Sequence, residues 1–164
     1  MSQEIERKFL LAEEPAILIG KQGLKVLSEQ RIEQTYLAID ESQEIRVRRI
    51  VDLAGGGVTY THTFKLGNGL SREEVEYSIS EGIYGQLTQA FGYVPLTKNR
   101  ITAEWESKIV EIDVYDQIKL AVLEVEFESE EAANNFAAPD WFGRDISLER
   151  QYSNKKVWRE LQAK

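Results

Sequence analysis

Charged and apolar residues alternate with a period of two along Glu4-Ile5-Glu6-Arg7-Lys8-Phe9-Leu10. The pattern returns at Glu44-Ile45-Arg46-Val47-Arg48, Arg72-Glu73-Glu74-Val75-Glu76, Glu111-Ile112-Asp113-Val114 and Glu124-Val125-Glu126-Phe127. In an extended chain alternate side chains share a face. Glu4, Glu6 and Lys8 therefore share one face, and Ile5 and Phe9 share the other, with Arg7 between them. A single strand of this kind is an ordinary solvated face. Its recurrence within one short chain predicts a closed sheet with a polar lumen, a place to hold a polyanion and its metal ions. Alternation alone does not fix which face is inside, since charges pointing outward would give a barrel with an oily interior.

A chain of 164 residues suits one well-cored domain, read here as residues 1–164. No apolar run approaches the roughly 20 residues needed to cross a bilayer, and no basic-then-apolar leader is visible. The expectation is a cytoplasmic protein with no membrane partner. The absence of cysteine removes disulfides, thiolate catalysis and cysteine-ligated zinc together. With 28 acidic residues against 20 basic ones, the net charge is -8, which argues against nucleic acid as a partner. A small anion held in an internal basic pocket is compatible with that charge, because local field and net charge are separate quantities.

Residues 12–29 read as loop and short helix anchored by Leu18, Leu24 and Leu27, followed by a strand over 33–38 that carries Tyr36. Strands over 44–53 and 58–66 flank Ala54-Gly55-Gly56-Gly57, a hairpin connection. A further strand over 71–79 leads to Ser80, the N-cap of a helix that carries Ile83, Leu87 and Phe91 and closes at Gly92. Strands over 96–105, 109–115 and 121–127 follow. A helix capped by Ser129 runs to Phe136, and a last helix spans 154–161 with Val157, Trp158 and Leu161 near one face. About eight strands with a few short helices give an α+β fold: a closed eight-stranded antiparallel β-barrel, or tunnel, with a charged lumen.

Burying that many ions costs several kcal/mol apiece unless each is paired, so water or a ligand must complete the lumen. Paired glutamates two residues apart suit a hard divalent cation, and arginine and lysine suit phosphate. His62, the sole histidine, lies on the opposite strand face from Lys65 and reads as a packing or surface residue. The glycine triplet lacks a following Gly-Lys-Ser/Thr and is a turn, not a phosphate loop. Trp105, Trp141 and Trp158 read as core anchors.

The ordered set Glu4-x-Glu6-x-Lys8, Gln34-x-Tyr36-Leu37, Arg46-x-Arg48, Thr63-x-Lys65, Arg72-x-Glu74-x-Glu76, Lys98-x-Arg100, Glu111-x-Asp113, Glu124-x-Glu126 and Tyr152-x-Asn154-Lys155 resembles the CYTH superfamily, the triphosphate tunnel metalloenzymes. The resemblance covers essentially the whole chain. It implies a tunnel that binds triphosphate compounds with Mg²⁺ or Mn²⁺. It assigns the metal to Glu4, Glu6, Glu124 and Glu126, with Asp113 in the same acidic set. It assigns phosphate binding to Lys8, Arg46, Arg48, Lys65, Lys98 and Arg100, together with Arg72 and Tyr36. Lys155 would come from a C-terminal helix that closes one end of the tunnel. Lys8, Arg48, Lys98 and Glu74 are the expected catalytic group.

The function so implied is metal-dependent hydrolysis of a triphosphate, foremost inorganic tripolyphosphate to diphosphate and phosphate. Rival reactions of the same superfamily are cyclisation of ATP, as in a class IV-type adenylate cyclase, and hydrolysis of thiamine triphosphate. A non-catalytic polyphosphate- or nucleotide-binding module, and a lipocalin-like barrel with an oily lumen, are rivals of other classes. An acidic exterior with exposed aromatics also permits a homodimer.

Overall fold

The computed structural model describes residues 2–164 and folds them as one antiparallel sheet rolled on itself. Eight strands form the wall: β1 (Ser2–Leu10), β2 (Lys25–Ile39), β3 (Gln43–Asp52), β4 (Val58–Leu66), β5 (Ser71–Ser78), β6 (Leu96–Trp105), β7 (Lys108–Tyr115) and β8 (Leu120–Glu126). Their order is β5-β4-β3-β2-β6-β7-β8-β1, and β1 returns to pair with β5, which closes the barrel. β1 divides its work. Ser2 to Ile5 pair with β5, and Glu6 to Leu10 pair with β8. A two-residue strand β9 (Arg144–Asp145) then pairs with Phe9 and Leu10.

The helices are α1 (Pro15–Gln22), α2 (Glu81–Phe91), α3 (Glu130–Asn135) and α4 (Asn154–Gln162). Ser80, Ser129 and Ser153 cap the last three, each hydroxyl accepting a hydrogen bond from a backbone N–H three residues on. β2 starts at Lys25, eight residues before the strand expected there. A bulge between Val26 and Ser28 interrupts its alternation, which hides the strand from a period-two reading and leaves Leu27 exposed, not an anchor. Leu18 and Leu24 are buried as expected. α2 lies against β2, β3 and β4 without a buried residue, so Ile83 and Phe91 stay exposed.

Two apolar clusters set the direction of the charges. Outside the wall, Phe9, Ile112, Leu123 and Val125 pack under Leu24, Phe142 and the flanking aromatics Trp105, Phe136 and Trp141. The apolar alternates of β1, β7 and β8 therefore point outward, and their charged neighbours point in. Inside, one end of the barrel is filled by a second cluster. Tyr36, Leu96, Tyr115 and Val122 pack there against Ile146 and against Val157 and Trp158 of α4.

Gly143 makes that arrangement possible. Its φ of +86° disfavours any side chain, and a Cβ there would collide with the Leu10 carbonyl oxygen. The 144–146 segment docks on β1 directly beyond it, where the Ile146 N–H donates to the Lys8 carbonyl at 2.8 Å.

Candidate active site

The register of the wall fixes which side chains meet inside. Residues paired across antiparallel strands project to the same face. Glu6 pairs with Glu126, Lys8 with Glu124, and Glu4 with Arg72. Lys65 pairs with both Glu44 and Glu74, Arg46 pairs with Tyr36, and Arg100 pairs with Asp113. These side chains surround a cavity of about 1130 Å³. Its lining includes Glu4, Glu6, Lys8, Tyr36, Arg46, Arg48, Lys65, Arg72, Glu74, Arg100, Glu124, Glu126 and Lys155.

Lys98 and Asp113 do not reach the cavity surface. Both are completely buried, and they stand 2.9 Å apart behind Arg100. Burial lowers the Lys98 ammonium to about 7, against the pull of Asp113. Asp113 is buried too, yet Arg100 and Lys98 hold its carboxyl well below the usual range. Their place on the inner face was legible, but their depth depends on neighbouring strands and was not.

Most lumen cations already have a carboxylate. Arg48 donates to Glu76 at 2.7 Å, and Thr63 donates to the same oxygen at 2.7 Å. Lys65 sits 2.9 Å from Glu4 and 3.4 Å from Glu74. Arg72 reaches Glu44 at 2.6 Å and Glu4 at 3.5 Å. Arg100 reaches Glu111 at 3.1 Å. Lys8 donates instead to the Tyr152 carbonyl at 2.7 Å. Arg46 is buried beside Tyr36 with its Nε unpartnered among the described residues. Burial and the neighbouring Arg46 and Arg100 charges lower Arg48 to about 10, so it stays cationic at neutral pH.

Glu44, Glu76 and Glu111 are lumen residues that the sequence reading left out of the site. Each sits two residues from a side chain that was included, so the same alternation was the available signal. Their task in this structure is to hold Arg72, Arg48 and Arg100. His62 faces outward as expected, its ring 5.0 Å from that of Tyr77.

The carboxylates crowd one another as well. Burial and the adjacent Glu124 and Glu4 push Glu6 well above the carboxylate range. Burial also works against Glu124, but its contacts with Glu6 and Lys8 keep it ionised and lowered. A second pair behaves alike. Burial and Glu4 raise Glu74, while at Glu4 burial is outweighed by Lys65, Glu74 and Arg72 together, which lower it to about 2. Buried carboxyls that share protons in pairs lack positive charge. Oxygen donors with that deficit fit a hard divalent cation. Among the described residues no three acidic side chains are arranged around an ion as they stand, since Lys65 and Arg72 draw Glu4 and Glu74 toward themselves. The chemistry of the donor set fits.

Comparison with known proteins adds four findings. The CYTH domain model matches residues 2–158. An inorganic triphosphatase of Nitrosomonas europaea is 34% identical over 158 residues, covering 94% of this chain and 95% of that protein. An inorganic triphosphatase of Acetivibrio thermocellus is 28% identical, covering 96% and 94% respectively. Among solved structures, a crystal structure of an inorganic triphosphatase superposes with a TM-score of 0.62 at 30% identity, covering 96% of this chain and 95% of that one.

Proposed function

The chain belongs to the CYTH domain family, and from that footing we propose that its cavity hydrolyses inorganic tripolyphosphate to diphosphate and phosphate with a divalent metal ion. The similar proteins named inorganic triphosphatases match over nearly their whole lengths, so the comparison concerns the entire barrel. One observation carries the reading on this chain's own residues. A closed wall holds crowded glutamates and buried cations around one cavity.

Lys8, Arg46, Arg48, Lys65, Arg72, Arg100 and Lys155 bind phosphate oxygens and steady the charge that spreads over them as the bond breaks. Tyr36 sets the position of Arg46. Lys98 and Asp113 act from behind as positioning residues, holding the Arg100 fork toward the lumen. Glu4, Glu6, Glu124 and Glu126 would hold Mg²⁺ or Mn²⁺, which when bound supplies positive charge to the phosphate oxygens.

Water attacks the terminal phosphorus, and the bond from that phosphorus to the bridging oxygen breaks. Diphosphate leaves with the electron pair. The proton lost by water passes to a lumen carboxylate. We assign that role to Glu74, which lines the cavity, lies outside the set that would hold the metal, and has its pKa raised by burial and by Glu4.

A phosphate-release screen of tripolyphosphate, ATP and thiamine triphosphate tests this, run with Mg²⁺, Mn²⁺ and a chelator. The expected result is metal-dependent release that is fastest from tripolyphosphate. Tight tripolyphosphate binding by calorimetry without release under any metal would make the protein a receptor instead.

A further inference from the structure

Gln34 stands apart in the barrel wall because its side chain is paired with nothing. It is 0% exposed, and neither its amide nitrogen nor its amide oxygen has a hydrogen-bond partner among the described residues. Nearly all buried polar groups are paired, so an amide open at both ends calls for a cause.

Its neighbours in the wall supply one. Gln34 lies two residues before Tyr36 on β2 and shares the inward face, where its partner on β3 is Arg48. Arg48 pairs in turn with Thr61 on β4. The Arg48 Nε and the Thr61 hydroxyl oxygen are also buried without a partner among the described residues. Three adjacent side chains of one row thus share the same defect. The direction of Arg48 accounts for it. Its Nη2 donates to Glu76 of β5 at 2.7 Å, so the guanidinium reaches across β4 and away from β2. Side chains paired directly across antiparallel strands have Cβ atoms roughly 5 Å apart, within reach of a glutamine amide and an arginine Nε. Arg48 is also free to leave, because Glu76 keeps the hydrogen bond from Thr63 and is partly open to water.

Resting on the triphosphatase reading, we propose that Gln34 is a positioning residue that holds Arg48 in its working orientation. At rest Arg48 lies on Glu76. When phosphate enters the lumen, the guanidinium turns from Glu76 to the phosphate oxygens, and its Nε–H donates to the Gln34 Oε1. That bond fixes the plane of the guanidinium, and a planar fork recognises phosphate through its orientation as much as its charge. Gln34 itself touches no substrate, since it is fully buried.

The test is a double-mutant cycle between Gln34→Met and Arg48→Lys. Methionine matches glutamine in length without the amide, and lysine keeps the charge of Arg48 without its Nε–H. In calorimetry of tripolyphosphate on metal-free protein, Gln34→Met should weaken binding by roughly tenfold, as expected for one hydrogen bond to a charged group. The same change in the Arg48→Lys background should weaken it little further. The melting midpoint without ligand should not fall in Gln34→Met, because the resting amide has no partner to lose. A merely structural glutamine gives the opposite pattern, a lower midpoint with additive losses in the cycle. The Arg48 Nε–H resonance, assigned by its loss in Arg48→Lys, should shift when tripolyphosphate is added to wild type and shift less in Gln34→Met. Additive losses, unchanged affinity in Gln34→Met, or a resonance that responds alike in both proteins overturns the positioning role. Wild type that binds tripolyphosphate but releases no phosphate with any metal sinks the triphosphatase reading alone, and the metal-free cycle still decides the role of Gln34. Wild type that binds no tripolyphosphate sinks both.

Discussion

Arg100 grips Asp113 through both carboxylate oxygens, Nε to Oδ1 at 2.8 Å and Nη2 to Oδ2 at 2.9 Å. Lys98 stands 2.9 Å from Oδ2 of the same carboxylate. Asp113→Ala should therefore strand the fully buried Lys98, leave Arg100 with Glu111 alone, and cost about 3–5 kcal/mol of stability. Asp113→Asn should also lose stability at neutral pH and flatten the acid limb of the stability curve. Because the folded carboxyl is held below its ordinary 3.8, its contribution is present above that value and is lost as pH falls toward the depressed one. Urea melts of both variants between pH 7 and pH 3 check the sign.

Arg48 offers a cleaner separation of chemistry from folding. Its partner Glu76 keeps a hydrogen bond from Thr63 and is partly open to water, so it survives the loss of the guanidinium. Arg48→Ala should lower kcat for tripolyphosphate by roughly a hundredfold while the melting curve moves little. Full activity in that variant would remove Arg48 from the site.

Glu6 should trade stability for metal affinity. Its folded pKa is raised, so its contribution to stability is present below the ordinary 4.5 and is lost as pH rises through the folded value. At neutral pH the metal-free protein therefore carries a strained carboxyl. Glu6→Gln should melt higher than wild type there, while Mg²⁺ or Mn²⁺ raises the wild-type midpoint more than that of the variant. Scanning calorimetry with and without metal reads both effects.

Gly143→Ala has no easy accommodation. It combines a left-handed backbone with a collision against the Leu10 carbonyl, so the segment that follows must lift from β1. A loss of roughly 2 kcal/mol or more is expected. Hydrogen exchange should quicken first at the Ile146 amide, which donates to the Lys8 carbonyl.

The strands, the caps at Ser80 and Ser129, and the gathering of the β1 charges on one face were legible because each leaves a local signature of period or residue type, whereas the inward direction of that face came from the family resemblance. What escaped depends on meetings between distant segments. Leu10, Val122, Leu96 and Tyr115 occupy inward positions on strands read mainly for their charge, and only the arrival of α4 explains them. The bulge at Leu27 breaks the periodicity that would have announced β2. Glu44, Glu76 and Glu111 show the same limit in milder form. Their alternation was visible, but their pairing with Arg72, Arg48 and Arg100 belongs to the closed wall.

β1 contributes Glu4, Glu6 and Lys8 and is also the strand that joins both free edges of the sheet. Pairing Glu6 with Glu126 brings together opposite ends of the chain, and contacts so distant in sequence form late and slowly. An incompletely assembled molecule thus has neither its acidic cluster nor its enclosure. Capacity for turnover should emerge in refolding as a single late event, in step with the last cooperative phase and never ahead of it.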